Sequence, residues 1–299
     1  MFSRSMNLFF GIILSVLLYG IHSIAMESAR GDGDNDENNS NYVFGLNYFK
    51  SSQLKDAWHH FAIAADEGCP CAHVYLGKIC LINGCVELAK YHFGLATQQG
   101  NGDAFYYLGI MCEKEKDLRS AKFYFLEAAT RRHVEAENKL GALYYDEQNY
   151  VKAEEHFKSS AQQGNINAYC NLGTLYVRCK NLEQARASYQ AAGDKGSLAA
   201  QYLLGRVYYE LGNLIEAEKC FLYRSSKDKH SASLYYLGKI YYSRSETKSA
   251  HYFFSLAASQ GHEGAKFALE SIDDHESQIN FCSSTGLARG LTTNLNLNL

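Results

Sequence analysis

Tyrosines and cations at fixed offsets from a recurring glycine are the residues of this chain whose type and spacing could do chemistry. Three residues before such a glycine stand Tyr106, Tyr202 and Tyr235, and four after it stand Tyr145, Tyr209 and Tyr242. One residue after it stand Arg206 and Lys239. Offsets of minus three, plus one and plus four share one face of a helix. Tyrosine presents a flat apolar ring with a polar tip, and arginine and lysine add charge. These are the anchor types of protein interfaces, so the chemistry expected is recognition of a protein or peptide rather than bond making. In other units the same offsets hold Val74, Asn138, Cys170, Leu81, Glu113 and Val177, which concentrates the pattern in the C-terminal half. With 23 tyrosines among 299 residues, some must simply fill space between elements.

Histidines form a second column. His60, His92 and His156 each follow a recurring alanine by three residues. Side chains in one register on successive helices lie about 8–10 Å apart, whereas a shared metal ion needs about 2 Å to each nitrogen. They are therefore read as polar surface residues, and no metal site and no cofactor are expected. Phosphate loops, nucleophile elbows and His-Glu-x-x-His helices are missing from the sequence, so no catalytic residue is assigned.

The elements that must carry these side chains are set by a repeat. Glycines at 45, 77, 109, 141, 173, 205 and 238 recur every 32 residues five times and then after 33. Ala57, Ala89, Ala121, Ala153, Ala185, Ala217 and Ala250 keep the same beat. So do Phe61, Phe93, Phe125, Phe157, Tyr189, Phe221 and Phe254. A fixed period of this size means stacked supersecondary units, each touching its neighbours. Within the second unit, helix A is expected over 72–82, a break at Asn83-Gly84, and helix B over 86–98 before the turn at Gln99-Gly100. Gly77 in mid-helix costs about 1 kcal/mol in propensity, so close backbone contact between helices A and B is the expected reason for it. The single 33-residue step is assigned to an extra residue near Ser243 to Thr247.

The helix pair resembles the tetratricopeptide superfamily, with 12 residues from the glycine to the helix-B alanine. The close of each unit is similar to that of Sel1-like repeats: Ala64-Ala65-Asp66-Glu67-Gly68, Ala96-Thr97-Gln98-Gln99-Gly100 and Ala257-Ala258-Ser259-Gln260-Gly261. The insert usual between Sel1-like helices is missing, and Arg132 and Lys229 replace the turn glycine in two units. The resemblance spans Asn41 to Ile272. It implies an all-α, right-handed α-solenoid of about seven helix-turn-helix repeats, with Gly264 to Ser271 as a C-terminal capping helix. It also implies that helix A lines a concave binding face and that the chain is a non-enzymatic interaction scaffold or adaptor.

Outside the repeats, Arg4 followed by the apolar run Leu8 to Tyr19 and small residues at Ser23 to Ala25 reads as a cleaved export signal, residues 1–25. The run is shorter than the roughly 20 residues that span a bilayer, so no membrane span is expected after cleavage and the address is secreted or periplasmic. Residues 26–40 are acidic and contain no core-forming residues beyond Met26 and Ala29, so a flexible linker is expected; its D-x-D-x-D look lacks the glutamate that completes a calcium loop. Residues 273–299 are expected to be a disordered tail. The balance of 29 basic and 32 acidic residues offers no footprint for nucleic acid. Nine cysteines are an odd number, so one at least lacks an intrachain partner; Cys80 and Cys112 share a register that leaves a bridge open. Two alternatives to an envelope or host-interaction scaffold remain. One is a weak penicillin-binding or β-lactamase-type secreted repeat protein, although members associated with that activity carry a cysteine pair in nearly every repeat. The other is an endoplasmic lumen quality-control adaptor, although no Lys-Asp-Glu-Leu-type tail is present.

Overall fold

The computed structural model describes residues 39–284, with side chains to Asp274. The expected signal, most of the linker and the final fifteen residues lie outside the described residues. Every element among the described residues is an α-helix. The chain divides into two compact units, Met1–Gln99 and Gly100–Leu299.

In the first unit, α1 (Ser40–Lys50) and α2 (Leu54–Asp66) form one hairpin, and α3 (Pro70–Ile82) and α4 (Val86–Gln98) the next. Pro70 sits at the start of α3, where its missing N–H costs nothing. The breaks at 82–86 and after 98 fall where Asn83-Gly84 and Gln99-Gly100 place them.

The second unit holds five hairpins. These are α5 (Gly102–Lys114) with α6 (Leu118–Thr130), α7 (Val134–Asp146) with α8 (Tyr150–Gln162), and α9 (Ile166–Arg178) with α10 (Leu182–Asp194). Then come α11 (Leu198–Glu210) with α12 (Leu214–Asp228), and α13 (Ser231–Ser243) with α14 (Thr247–Ser259). A last helix, α15 (Glu263–Ser284), packs on α14. It runs past the expected end of order at 272: no proline or glycine interrupts the sequence between Gly264 and Gly286, so nothing stops the helix where the repeat pattern stops.

Three features of the sequence build each hairpin. The alanine column is fully buried, 0 % exposed at all seven positions, which lets the two helices close on each other. The aromatic column is buried too, from Phe61 at 0 % to Phe157 and Tyr189 at 2 %. The glycine column receives those rings: a Cβ placed on Gly45, Gly77, Gly109, Gly141, Gly173, Gly205 or Gly238 would stand 2.5–2.7 Å from a ring carbon of the residue sixteen further on. The glycine is therefore required by a helix-B ring lying on helix A, which corrects the expectation of backbone-to-backbone contact. In the one unit where the ring is tyrosine, its hydroxyl meets the Thr174 hydroxyl at 3.0 Å, so the polar tip is satisfied.

Every connection turns through one left-handed residue. Within hairpins these are Ser52, Gly84, Lys116, Gln148, Lys180, Gly212 and Ser245; between hairpins they are Gly68, Gly100, Arg132, Gly164, Gly196, Lys229 and Gly261. Arg132 (φ 60°) and Lys229 (φ 51°) thus take the geometry of the glycines they replace. Lys229 also explains the 33-residue step. Helix α12 is 15 residues long where its counterparts have 13, and it ends on Lys229, whose N–H donates to the Ser225 carbonyl at 2.8 Å. The extra residue lies there and not near Ser243 to Thr247.

Candidate functional site

Helices α11 and α13 bring five of the eight expected binding residues together. Tyr202, Arg206 and Tyr209 follow one face of α11, and Tyr235 and Lys239 one face of α13. Tyr236, which the offsets did not select, joins them: its ring lies 5.3 Å from Tyr209 and 6.2 Å from Tyr202, and stacks on the core ring of Phe221 at 5.0 Å. The Lys239 ammonium stands 5.4, 5.8 and 5.9 Å from the ring centres of Tyr209, Tyr235 and Tyr236, within the range of cation–π attraction. Burial pushes the hydroxyls of Tyr202, Tyr209 and Tyr235 up, which keeps them neutral hydrogen-bonding groups, and burial lowers Lys239.

Arg206 stands beside the Tyr202 and Tyr236 hydroxyls and reaches Glu210 at 3.8 Å, with about two fifths of its side chain exposed. Its Nε is buried and meets no hydrogen-bond partner among the described residues. A guanidinium held in place by rings, with its outer part exposed, can take an acceptor from a partner.

Of the remaining three, Tyr106 and Tyr145 lie elsewhere. Tyr106 stacks on His133 at 4.4 Å. Tyr145 sits 5.7 Å from Tyr150 against the core around Phe157. Tyr242 also lies on α13, half-buried against the core around Phe254 that Tyr202, Tyr209 and Tyr235 share. The residues at minus three share a further role, because they meet the start of the next hairpin. Tyr202 and Tyr235 lie against His230 and His262, and the Cys170 thiol meets the Ser197 hydroxyl at 3.7 Å. Val74 is 1 % exposed and belongs to the core instead. Sequence reasoning missed His230 and His262, although the signal was available as a histidine just before helix A, 27 or 28 residues after a tyrosine.

The histidine column proves to be interhelical. His60, His92 and His156 each meet the residue nineteen positions earlier, on helix A of their own hairpin: Asn41 at 3.2 Å, His73 at 3.4 Å and Glu137 at 2.6 Å. His92 is 7 % exposed and its partner His73 6 %, so the surface reading of His92 is corrected. Among the described residues no cluster of three or more His, Cys, Asp or Glu could hold a metal ion. Cys80 is a free thiol, as are Cys85, Cys170, Cys179 and Cys220, so the bridge left open at Cys80 is not made.

Sequence reasoning also missed a groove of about 520 Å³ on the helix-B side, lined by Leu118, Lys122, Phe123, Leu126 and Tyr144. Lys122 crosses it, 4.0 Å above the Tyr144 ring and 2.6 Å from Glu147.

Residues 166–192 and 198–222, in the hairpins of α9 and α11, match the tetratricopeptide repeat family model. No curated protein matches the chain. Among solved structures, a protective antigen present in uropathogenic Escherichia coli strains and displaying an SLR fold is similar over 78 % of this chain, with a TM-score of 0.67 and 23 % identity. The chain spans 56 % of that protein's length. A Sel1 repeat protein from Oxalobacter formigenes is similar over 74 % of this chain and 97 % of its own, with a TM-score of 0.60 and 21 % identity. The structure from a functional characterisation of Pseudomonas aeruginosa pilF covers 68 % of this chain and 96 % of its own, with a TM-score of 0.57 and 16 % identity. Two matched repeats and an unbroken series of helical hairpins among the described residues make this an all-α repeat fold, similar over residues 166–222 to the tetratricopeptide repeat. Its hairpins have the fold of the Sel1-like repeats.

Proposed function

We propose that the chain is a non-enzymatic scaffold that holds a protein or peptide against the face built by α11 and α13. One observation carries this reading: the part-exposed cations Arg206 and Lys239 are set among Tyr202, Tyr209, Tyr235 and Tyr236. Rigid tyrosines give contact area at little entropic cost, and the two cations suit a partner that brings an anionic group to the tyrosine nest. The repeat fold supports the scaffold class. Export to a secreted or periplasmic destination belongs to the same proposal and rests on the apolar run Leu8 to Tyr19 behind Arg4. No helix among the described residues is long and apolar enough to cross a membrane.

Selection of a displayed random-peptide library on the chain from Met26 onward tests the site. Selected peptides should bind at least about ten-fold more weakly to Arg206→Ala or Lys239→Ala, a loss of about 1.4 kcal/mol, while helicity and melting stay unchanged. Binders indifferent to both substitutions would remove the site from this face. A fusion of residues 1–40 to a reporter active only outside the cytoplasm tests export; an inactive reporter would overturn it.

A further inference from the structure

Three helices of the second unit are capped by histidine, and each ring does two things. The Nδ1 atoms of His133, His230 and His262 accept the backbone N–H of Ala136, Ser233 and Ala265 at 3.2, 3.3 and 3.2 Å. The same rings lie against Tyr106, Tyr202 and Tyr235, with centroids 4.4, 4.8 and 4.4 Å apart. The equivalent caps of α5, α9 and α11 are Asn101, Asn165 and Ser197, which do not titrate. A neutral imidazole accepts at Nδ1 when its proton is on Nε2, whereas an imidazolium carries protons on both nitrogens and accepts nothing. It also sets a positive charge against the positive end of the helix.

We infer that His230 and His262 gate the Tyr202–Arg206–Tyr209–Tyr235–Lys239 face by protonation. Neutral, they cap α13 and α15 and hold Tyr202 and Tyr235 in place; protonated, they release both. The inference rests on that face being the binding face, but the gate itself can be read without any ligand.

The groups facing each ring support this placement. His230 meets Tyr202 from α11, Arg224 and Asp228 from α12, the Ser233 hydroxyl at 3.0 Å on its own helix, and His262. Burial, then the Arg224 charge, lowers His230, with Asp228 opposing. The unfolded chain takes the proton first, so the capped state weakens as pH falls below about 6.5. His262 meets Tyr235 from α13, the Ala257 carbonyl from α14 through its own N–H, Glu263 beside it, and His230. Glu263 is itself tied to Lys266 at 2.8 Å. His133 differs, with Asp103 3.4 Å from Nε2 and Glu135 3.7 Å from Nδ1, carboxylates that would hold an imidazolium once formed. The gate is therefore assigned to the other two.

Amide hydrogen exchange on the full chain, without ligand, at about pH 7.5 and about pH 5 tests it. After correction for intrinsic exchange, the first turns of α13 and α15 should exchange on the order of five-fold faster at the lower pH for each cap lost. The first turn of α9, capped by Asn165, should not change. In His230→Asn/His262→Asn the acid effect should vanish, because asparagine caps without titrating. Acid acceleration that persists in this variant, or that is equal at the Asn165 cap, overturns the gate. Should the double variant fold poorly, the native chain decides: an imidazole NMR titration at His230 with Ser233 amide protection unchanged also overturns it. None of these readouts involves a bound peptide, so a failed gate leaves the binding face standing, and a failed peptide selection leaves the gate.

Discussion

At the scale of single residues, the protein turns on a pairing between a glycine and an aromatic ring sixteen residues later. Gly141 shows which effect wins. Alanine is the better helix former by about 1 kcal/mol, yet its Cβ would stand 2.5 Å from the Phe157 ring, which is 2 % exposed and has little room to move. Overpacking of this kind costs about 1–3 kcal/mol, so Gly141→Ala should lower the thermal melting temperature of the chain. Adding Phe157→Leu should recover part of the loss, because a smaller side chain vacates the position. An unchanged or raised melting temperature in Gly141→Ala would mean that propensity decides and that the ring yields. Both columns were legible in the sequence, but their contact was not. A spacing gives the register of a residue along each helix, and only the hairpin's closure shows which faces meet.

At the scale of helices and turns, the buried His73–His92 pair and the left-handed turn residues each carry a prediction. The two Nδ1 atoms are 3.4 Å apart, so one must donate and the other accept. Burial, then the charge of His73, takes His92 down to about 3, and burial lowers His73 with Asp66 opposing. Both folded values lie below the ordinary 6.5, so the unfolded chain binds protons first. The α3–α4 hairpin should therefore be most stable above about pH 6.5 and lose stability as pH falls from there towards about 3. Denaturant melts with hydrogen exchange read on α3 and α4 would show the slope, and His73→Gln/His92→Phe should flatten it. At Arg132 (φ 60°) the left-handed backbone costs a non-glycine residue about 1–2 kcal/mol, partly offset by the freedom glycine gains when unfolded. Arg132→Gly should thus stabilise by roughly 0.5–1 kcal/mol in urea titration; a loss would show that the Arg131–Arg132 turn is held by its side chains. The turn glycines made these boundaries legible. His92 was read as a surface residue with His60 and His156 because a column of one residue type does not reveal its partners on the other helix.

At the scale of the whole molecule, the repeat made the fold class legible from three columns in phase, while the end of order and the grouping of the proposed binding residues were not. Helix α15 runs to Ser284 because the sequence continues to allow a helix after the repeat pattern has stopped, and pattern alone cannot tell a cap from a tail. The tyrosines at minus three looked equivalent along the chain, yet Tyr202 and Tyr235 share a face with two cations while Tyr106 does not, since the difference lies in the neighbouring hairpin. A chain whose units contact mainly their neighbours should fail locally, and the C-terminal cap is the place to see it. Ala265, Ala268 and Ile272 of α15 are at most 2 % exposed and share a core with Phe254, Ala257 and Leu237. Truncation after Gly261 would expose that core on one side, so amides in α13 and α14 should exchange faster. Those in α5 to α8, which share no core cluster with α15, should keep their protection. If all of these helices lost protection to the same degree, the second unit would be one cooperative body in which the hairpins do not fold and open as separate neighbours.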